Sequence, residues 1–138
     1  MRIDYSFLCD YADPTGGKIH ALGIGIDTIF LPAAPGVAAA GFWFVAQLAA
    51  SAAETGDKQL EIKLLSPDGQ VIVGMDGQLH IGPPPIAGQP SRARVAMQFA
   101  GIPFPAYGVY SVNMVINGSE VTAVPIMVSP PPAPPATA

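Results

Sequence analysis

Charge is scarce in this 138-residue chain: Asp, Glu, Lys and Arg make up only 12% of it, against about 25% in ordinary soluble domains. Much of the surface must then be apolar, glycine, proline or neutral polar, and sticky faces and self-association are expected. Only six Lys and Arg are scattered along the chain, and the net charge is −4. That balance leaves no basic footprint, so neither nucleic acid nor an anionic membrane is an expected partner. Cysteine occurs once, as Cys9, which excludes an internal disulfide and fits a reducing compartment. Histidine occurs twice, as His20 and His80, with no HxH, HxxxH or CxxC spacing. No metal site and no cofactor is therefore expected. No serine stands in a G-x-S-x-G elbow. The run Gly16-Gly17-Lys18 lacks the first glycine of a phosphate loop and has Ile19 where Ser or Thr is required.

Long apolar runs are also few. The opening Met1-Arg2-Ile3-Asp4-Tyr5 reaches Asp10 and Asp13 without an apolar h-region, so no signal peptide is read and a cytoplasmic location is expected. From Thr28 to Ala53 no side chain is charged, and Gly36 to Ala53 is almost long enough to span a bilayer. Pro32 and Pro35 interrupt the first part of the uncharged stretch, much of the rest is Ala and Gly, and both flanks, Asp27 and Glu54, are acidic. These features argue against a membrane span.

What is present is β grammar. Gly108 to Ile116 reaches Asn117-Gly118 and returns through Val121 to Val128, a hairpin signal because a type I′ turn needs φ > 0 at both central residues. Ile3 to Tyr11 alternates, with Tyr5, Phe7 and Cys9 on the expected core face. After the turn Pro14-Thr15-Gly16-Gly17, Lys18 to Leu31 reads as one long strand whose Gly23 and Gly25 mark a bend, a bulge or a close approach of backbone or ligand. Ala39 to Leu48 is apolar on both faces and reads as a central strand, followed by a short helical turn over Ala49 to Glu54. Leu60 to Leu65 and Val71 to Val73 are joined by the turn Ser66-Pro67-Asp68-Gly69, and Asp76-Gly77 reads as a further reversal before Leu79-His80-Ile81. Gly82 to Pro90 must be a surface loop, because proline lacks the ladder donor. Ala93, Val95, Met97 and Phe99 then form the apolar face of an amphipathic strand. The expected fold is all-β: a two-sheet antiparallel β-sandwich of about 7–9 strands, immunoglobulin-like or jelly-roll-like. It occupies residues 1–128 as one domain, and residues 129–138 form a proline-rich C-terminal tail, extended or disordered.

Several of these strings are also familiar together. Ile-Asp-Tyr-x-Phe-Leu-Cys-Asp-Tyr-Ala from Ile3 to Ala12 is followed by Gly17-Lys18-Ile19-His20 and Gly23-x-Gly25-x-Asp27-Thr28-Ile29, then by Ser66 to Gly69, the proline loop and the Gly108-x-Tyr110 hairpin. The chain resembles, over residues 1 to 128, a bacterial family of small proteins known only as a domain of unknown function. The resemblance implies a β-sandwich and supplies no activity and no functional residues.

Candidate sites must come from the residues themselves. Asp4 and Asp10 share a strand parity with His20 expected across the hairpin, a set that an enzyme would need to use; a surface ion pair is the better reading. Cys9 with His20 is the only Cys-His combination close in sequence, and an inert core thiol is expected. Trp43 lines a possible ligand pocket if the sandwich binds a small apolar molecule, although the default for a lone tryptophan is the space between the sheets. Phe104 and Tyr107 on a proline-stiffened loop, together with Pro84 and Pro85 in the other proline loop, are the candidate contact surface. The tail carries PxxP spacing, Pro130 to Pro135, without a flanking basic residue. The favoured function is a non-enzymatic module acting through protein–protein contact or self-assembly, with an unknown protein or a second copy as partner; a ligand-binding sandwich comes second and an enzyme last.

Overall fold

The computed structural model describes residues 1–134. Twelve strands follow one another among them: β1 (Arg2–Cys9), β2 (Tyr11–Asp13), β3 (His20–Leu22), β4 (Thr28–Phe30), β5 (Gly36–Val37), β6 (Phe42–Ala50), β7 (Gly56–Leu65), β8 (Val71–Ile81), β9 (Ser91–Phe99), β10 (Pro103–Phe104), β11 (Gly108–Ile116) and β12 (Ser119–Ser129). β1, β6, β7, β8, β9, β11 and β12 are long, and the others span two or three residues. The long strands form two sheets, ordered β1-β6-β9 and β4-β12-β11-β7-β8, with β10-β5 and β2-β3 as small ribbons. Every pairing is antiparallel except the short parallel one between β4 and β12. Leu8, Phe44, Ala46 and Leu48 of the first sheet share one buried cluster with Ile62, Leu64, Tyr110, Val112, Met114 and Ile126 of the second. The two sheets therefore face each other across a common core, as the all-β sandwich reading expects.

The local signals explain the elements. Asn117 and Gly118 sit at φ 49 and 82, as the hairpin turn requires, and Ile116 stands opposite Ser119. The Ser66–Gly69 turn closes with Gly69 N–H donating to the Ser66 carbonyl at 2.9 Å. β6 is the middle strand of its sheet and is buried along nearly its whole length, which matches its apolar character on both sides. The uncharged segment 36–53 thus supplies strands, and among the described residues no helix is long and apolar enough to cross a membrane.

Four expectations are corrected. Asp4 is the extra residue of a bulge between the pairs Ile3↔Leu48 and Tyr5↔Gln47. A one-residue insertion exchanges the two faces of a period-two strand, so Ile3 and then Leu8 meet the intersheet core, and the Ser6 hydroxyl lies 2.8 Å from that of Thr122 on the opposite sheet. Tyr5, Phe7 and Cys9 consequently lie on the outer face of the first sheet, where Cys9 packs with Ala12 and Val45 in a separate cluster beneath the β2-β3 ribbon. Trp43 belongs to that outer cluster and not between the sheets, its ring meeting Tyr11 edge-on at 6.0 Å. Lys18 to Leu31 is broken into β3 and β4 by Gly23 and Gly25, both at positive φ (67 and 100). Another backbone does approach there, since Gly25 N–H donates to the Leu8 carbonyl at 2.9 Å, and a Cβ on Gly23 would collide with the Asp10 carboxyl. Finally, Asp76-Gly77 makes no reversal: β8 runs straight through it, with Asp76 opposite Glu61 and Gly77 opposite Leu60. Gly77 has no positive φ, and the long partner β7 offers a ladder along the whole stretch. Ser129 belongs to β12; Pro130 to Pro134 have no regular structure, and residues 135–138 of the expected tail lie outside the described residues.

Two local devices yield predictions. The buried Tyr110 hydroxyl donates to the Ala106 carbonyl at 2.6 Å and accepts from the Ala106 N–H at 3.3 Å. This tyrosine corner ties the start of β11 to its preceding loop, as in Greek-key sandwiches. Tyr110→Phe removes both hydrogen bonds, each worth about 0.5–1.5 kcal/mol, and is expected to cost about 1–3 kcal/mol in urea unfolding, with the native spectrum retained. The second device closes the Ala52–Glu54 turn that follows β6. The Glu54 carboxylate accepts from the Met1 ammonium at 2.6 Å and from the Ser51 N–H and hydroxyl at 3.0 and 3.1 Å, which together push its pKa down to about 2. The Met1 ammonium is the largest cause. Because the folded value lies below the ordinary 4.5, the stabilisation is complete above about pH 4.5 and disappears as the pH falls toward about 2. A melting series at pH 5 to 2 should show wild type losing its advantage over Glu54→Gln across that window; a gap constant with pH would refute the assignment.

Candidate functional site

The expected carboxylate–imidazole set is not brought together. Asp4 sits at the β1 bulge, where the Gln47 amide donates to Oδ2 at 2.9 Å and Arg2 and Arg92 approach at 3.3 and 3.4 Å. The Gln47 bond foremost, and then the two guanidinium groups, hold this carboxyl below its ordinary range. Asp10 lies at the far end of β1 beside Gly23, and His20 stands opposite Asp13 across the β2-β3 ribbon. The histidine that does meet a carboxylate is His80, whose Nδ1 is 2.7 Å from Asp57 Oδ1 on the neighbouring strand, with both side chains exposed. Such an exposed contact is a surface hydrogen bond of the kind that adds little to stability. The Cys9 thiol donates to the Tyr11 carbonyl at 3.4 Å, and burial pushes its pKa up, which disfavours the reactive thiolate. Among the described residues no group of three or more His, Cys, Asp or Glu comes together.

The proposed contact residues divide differently from the sequence reading. Phe104 is only 1% exposed and packs edge-on against Tyr110 at 5.1 Å. It is a core residue, because pairing of β10 with β5 turns its side chain inward while the flanking Pro103 and Pro105 stay outside. Tyr107 keeps an exposed ring and donates its hydroxyl to the Leu31 carbonyl at 2.8 Å. Pro84 is half-buried and Pro85 exposed. The two proline loops do not form one surface. The 82–90 loop follows the end of β8, whereas the Pro103–Pro105 loop lies beside its start at Val71 and Ile72. The eleven residues of β8 separate them by roughly 30 Å at about 3.3 Å per residue.

Two features at β8 went unread in the sequence. The first is an apolar cleft of about 530 Å³ lined by Pro35, Val37, Val71, Ile72, Pro103 and Pro105, with no charged side chain on its walls. Val37 and Val71 are 59% and 54% exposed, so two large apolar groups stand open to solvent at this cleft, which makes it a candidate contact or ligand surface. Trp43 does not line it. The second is the edge of β8, which among the described residues hydrogen-bonds to β7 alone. Gln59 of β7 directs its main chain toward the hairpin, accepting from Asn117 N–H and donating to Asn117 Oδ1, both at 2.9 Å. By the alternation of antiparallel ladders, Lys58, Leu60, Ile62 and Leu64 then turn to β8, where they face Leu79, Gly77, Met75 and Val73. The N–H and C=O groups of Gly74, Asp76, Gln78 and His80 are left pointing outward. Between Val71 and Ile81 this edge has no proline, no lysine and no arginine, and Asp76 is its only carboxylate, so the usual guards against strand pairing are nearly absent. The signal was available in the uncharged Val71-Ile72-Val73-Gly74-Met75 run, but reading Asp76-Gly77 as a turn cut the strand in half.

Comparison with known proteins adds a family. A model described as a family of unknown function (DUF6941) matches residues 4–129, and the chain belongs to that family. No curated protein matches the chain.

Proposed function

We propose that this DUF6941 member is a non-enzymatic β-sandwich module that works through protein contact, by adding a partner's strand to the open edge of β8. The observation that carries the reading is that edge itself: an eleven-residue strand with one side unpaired and almost no protective charge. Strand addition draws affinity from main-chain hydrogen bonds and specificity from the flanking pockets, and here an apolar cleft begins at Val71 and Ile72 of the same strand. The same reading puts the module in the cytoplasm, a reducing compartment that suits the single thiol of Cys9.

Native mass spectrometry of the untagged protein, purified gently from its own source, tests this. The 14.2 kDa chain is expected with a companion, either further copies or a second protein, and Gln78→Pro should lose it, because proline removes one outward N–H without touching the ladder to β7. A bare monomer, or a companion retained by Gln78→Pro, refutes the reading. The cleft also favours a second reading, a small apolar ligand held at Val37 and Val71 instead of at Trp43. A monomer carrying a small reproducible mass, lost on Val71→Asp, would establish that one.

A further inference from the structure

The open edge and the cleft are related by position, and the relation names a partner. An antiparallel two-fold pairing of β8 with itself sets the beginning of one strand against the end of the other. The beginning, Val71 and Ile72, forms one wall of the apolar cleft. Just past the end comes Gly82-Pro83-Pro84-Pro85-Ile86, where Ile86 is 66% exposed. A large apolar side chain on a proline-stiffened loop loses little entropy on docking, and the cleft is apolar and uncharged. Two complementary features at opposite ends of one edge strand cannot meet within a molecule, yet a two-fold axis at the middle of the strand brings them together twice.

The outward hydrogen-bonding residues restrict where that axis can lie. Placed on Asp76, it would set two carboxylates directly opposite each other, which is destabilising. Placed on Gly77, it opposes Asp76 to the second copy's Gln78 and Gly74 to its His80, so every outward N–H and C=O among these residues finds a partner. Gly77 is then the non-hydrogen-bonded pair, the place of closest approach at about 4.5 Å between Cα atoms, and a Cβ built there meets nothing within 4 Å of its own chain. Val71 lies six residues before Gly77, one of them the bulged Ile72, so this axis lays the second copy's Gly82-Pro83 beside Val71 and carries its Ile86 toward the cleft. Low net charge on the facing edges adds little repulsion.

We infer that the partner of the β8 edge is a second copy of this chain, joined antiparallel about a two-fold axis at Gly77, with each copy's Pro83–Ile86 segment seated in the other's apolar cleft. This rests on the contact reading above and specifies its partner.

Gly77→Cys provides the test, since the symmetry brings that single new thiol against its own copy while Cys9 is fully buried. Mild oxidation of the full-length variant is expected to give a disulfide-linked dimer on a non-reducing gel, with Gly74→Cys, which faces His80, linking at least tenfold more slowly. Ile86→Asp should raise the dimer dissociation constant at least tenfold in sedimentation. In the unmodified protein, hydrogen exchange at Gly74, Asp76, Gln78 and His80 should slow as concentration rises, a readout independent of any variant's folding. A dimer whose Gly77→Cys form does not link, or whose four amides stay unprotected, overturns the inference. So does a companion that proves to be a different protein; if Gln78→Pro releases that protein, the contact reading survives and only the identity of the partner fails.

Discussion

Phe44→Ala is expected to lower the free energy of unfolding by about 3–5 kcal/mol, while Trp43→Ala, one position earlier, should cost roughly half as much. The difference is one of faces. Phe44 is completely buried on the intersheet side of β6, between Leu8 of β1 and Met97 of β9. Its truncation leaves a ring-sized void lined by both sheets, and close-packed interiors relax only partly into such a void. Trp43 is half-buried on the outer side, where Tyr11 covers one edge, so its removal exposes a shallow surface that water can fill. Against a total stability of about 5–15 kcal/mol for a domain, the first variant stands near the limit of folding. Urea titration followed by far-ultraviolet circular dichroism gives both values without relying on tryptophan emission. A larger loss for Trp43→Ala would mean that the faces of β6, and with them the bulge at Asp4, are wrongly assigned.

Leu79→Pro should cost about 3 kcal/mol, from a broken ladder bond and lost packing together, whereas Gln78→Pro should stay within about 1 kcal/mol of wild type. Leu79 turns its N–H toward Lys58 of β7 and packs its half-buried side chain on the core cluster. Proline there removes the donor, leaves an acceptor on β7 unpaired and withdraws apolar surface. At Gln78 the N–H points away from the sandwich and the side chain is exposed, the situation in which an edge strand tolerates proline. Denaturant midpoints of the two variants measure the contrast. Equal losses would show that β8 is not an edge, and the contact reading would fall with it.

The strongest local signals in the chain proved reliable because each was complete within a few residues. Asn117-Gly118 satisfies its turn by its own backbone preferences, the Gly82–Pro90 run cannot enter a ladder, and β6 declares itself central by being apolar on both sides. The site was far less legible. Phe104 looked like a loop aromatic, and only pairing of β10 with β5 put it in the core. Alternation by itself puts Tyr5, Phe7 and Cys9 on the core side, because a bulge is a mismatch between two strands that a single strand's pattern cannot show. Asp76-Gly77 carries a turn signature, yet the long ladder offered by β7 outweighs that local preference.

By itself, then, the sequence determined the all-β class, most of the long strands, the closing hairpin and a surface poor in charge, since these follow from residue-by-residue backbone preference and the period of burial. Tertiary structure alone decided which faces of β1 and β6 meet the intersheet core, which strand is left at the edge and that Val37, Val71 and Pro103 share one cleft. Those outcomes depend on pairings between residues distant in the chain, and such pairings are chosen by the total apolar surface the two sheets can bury together.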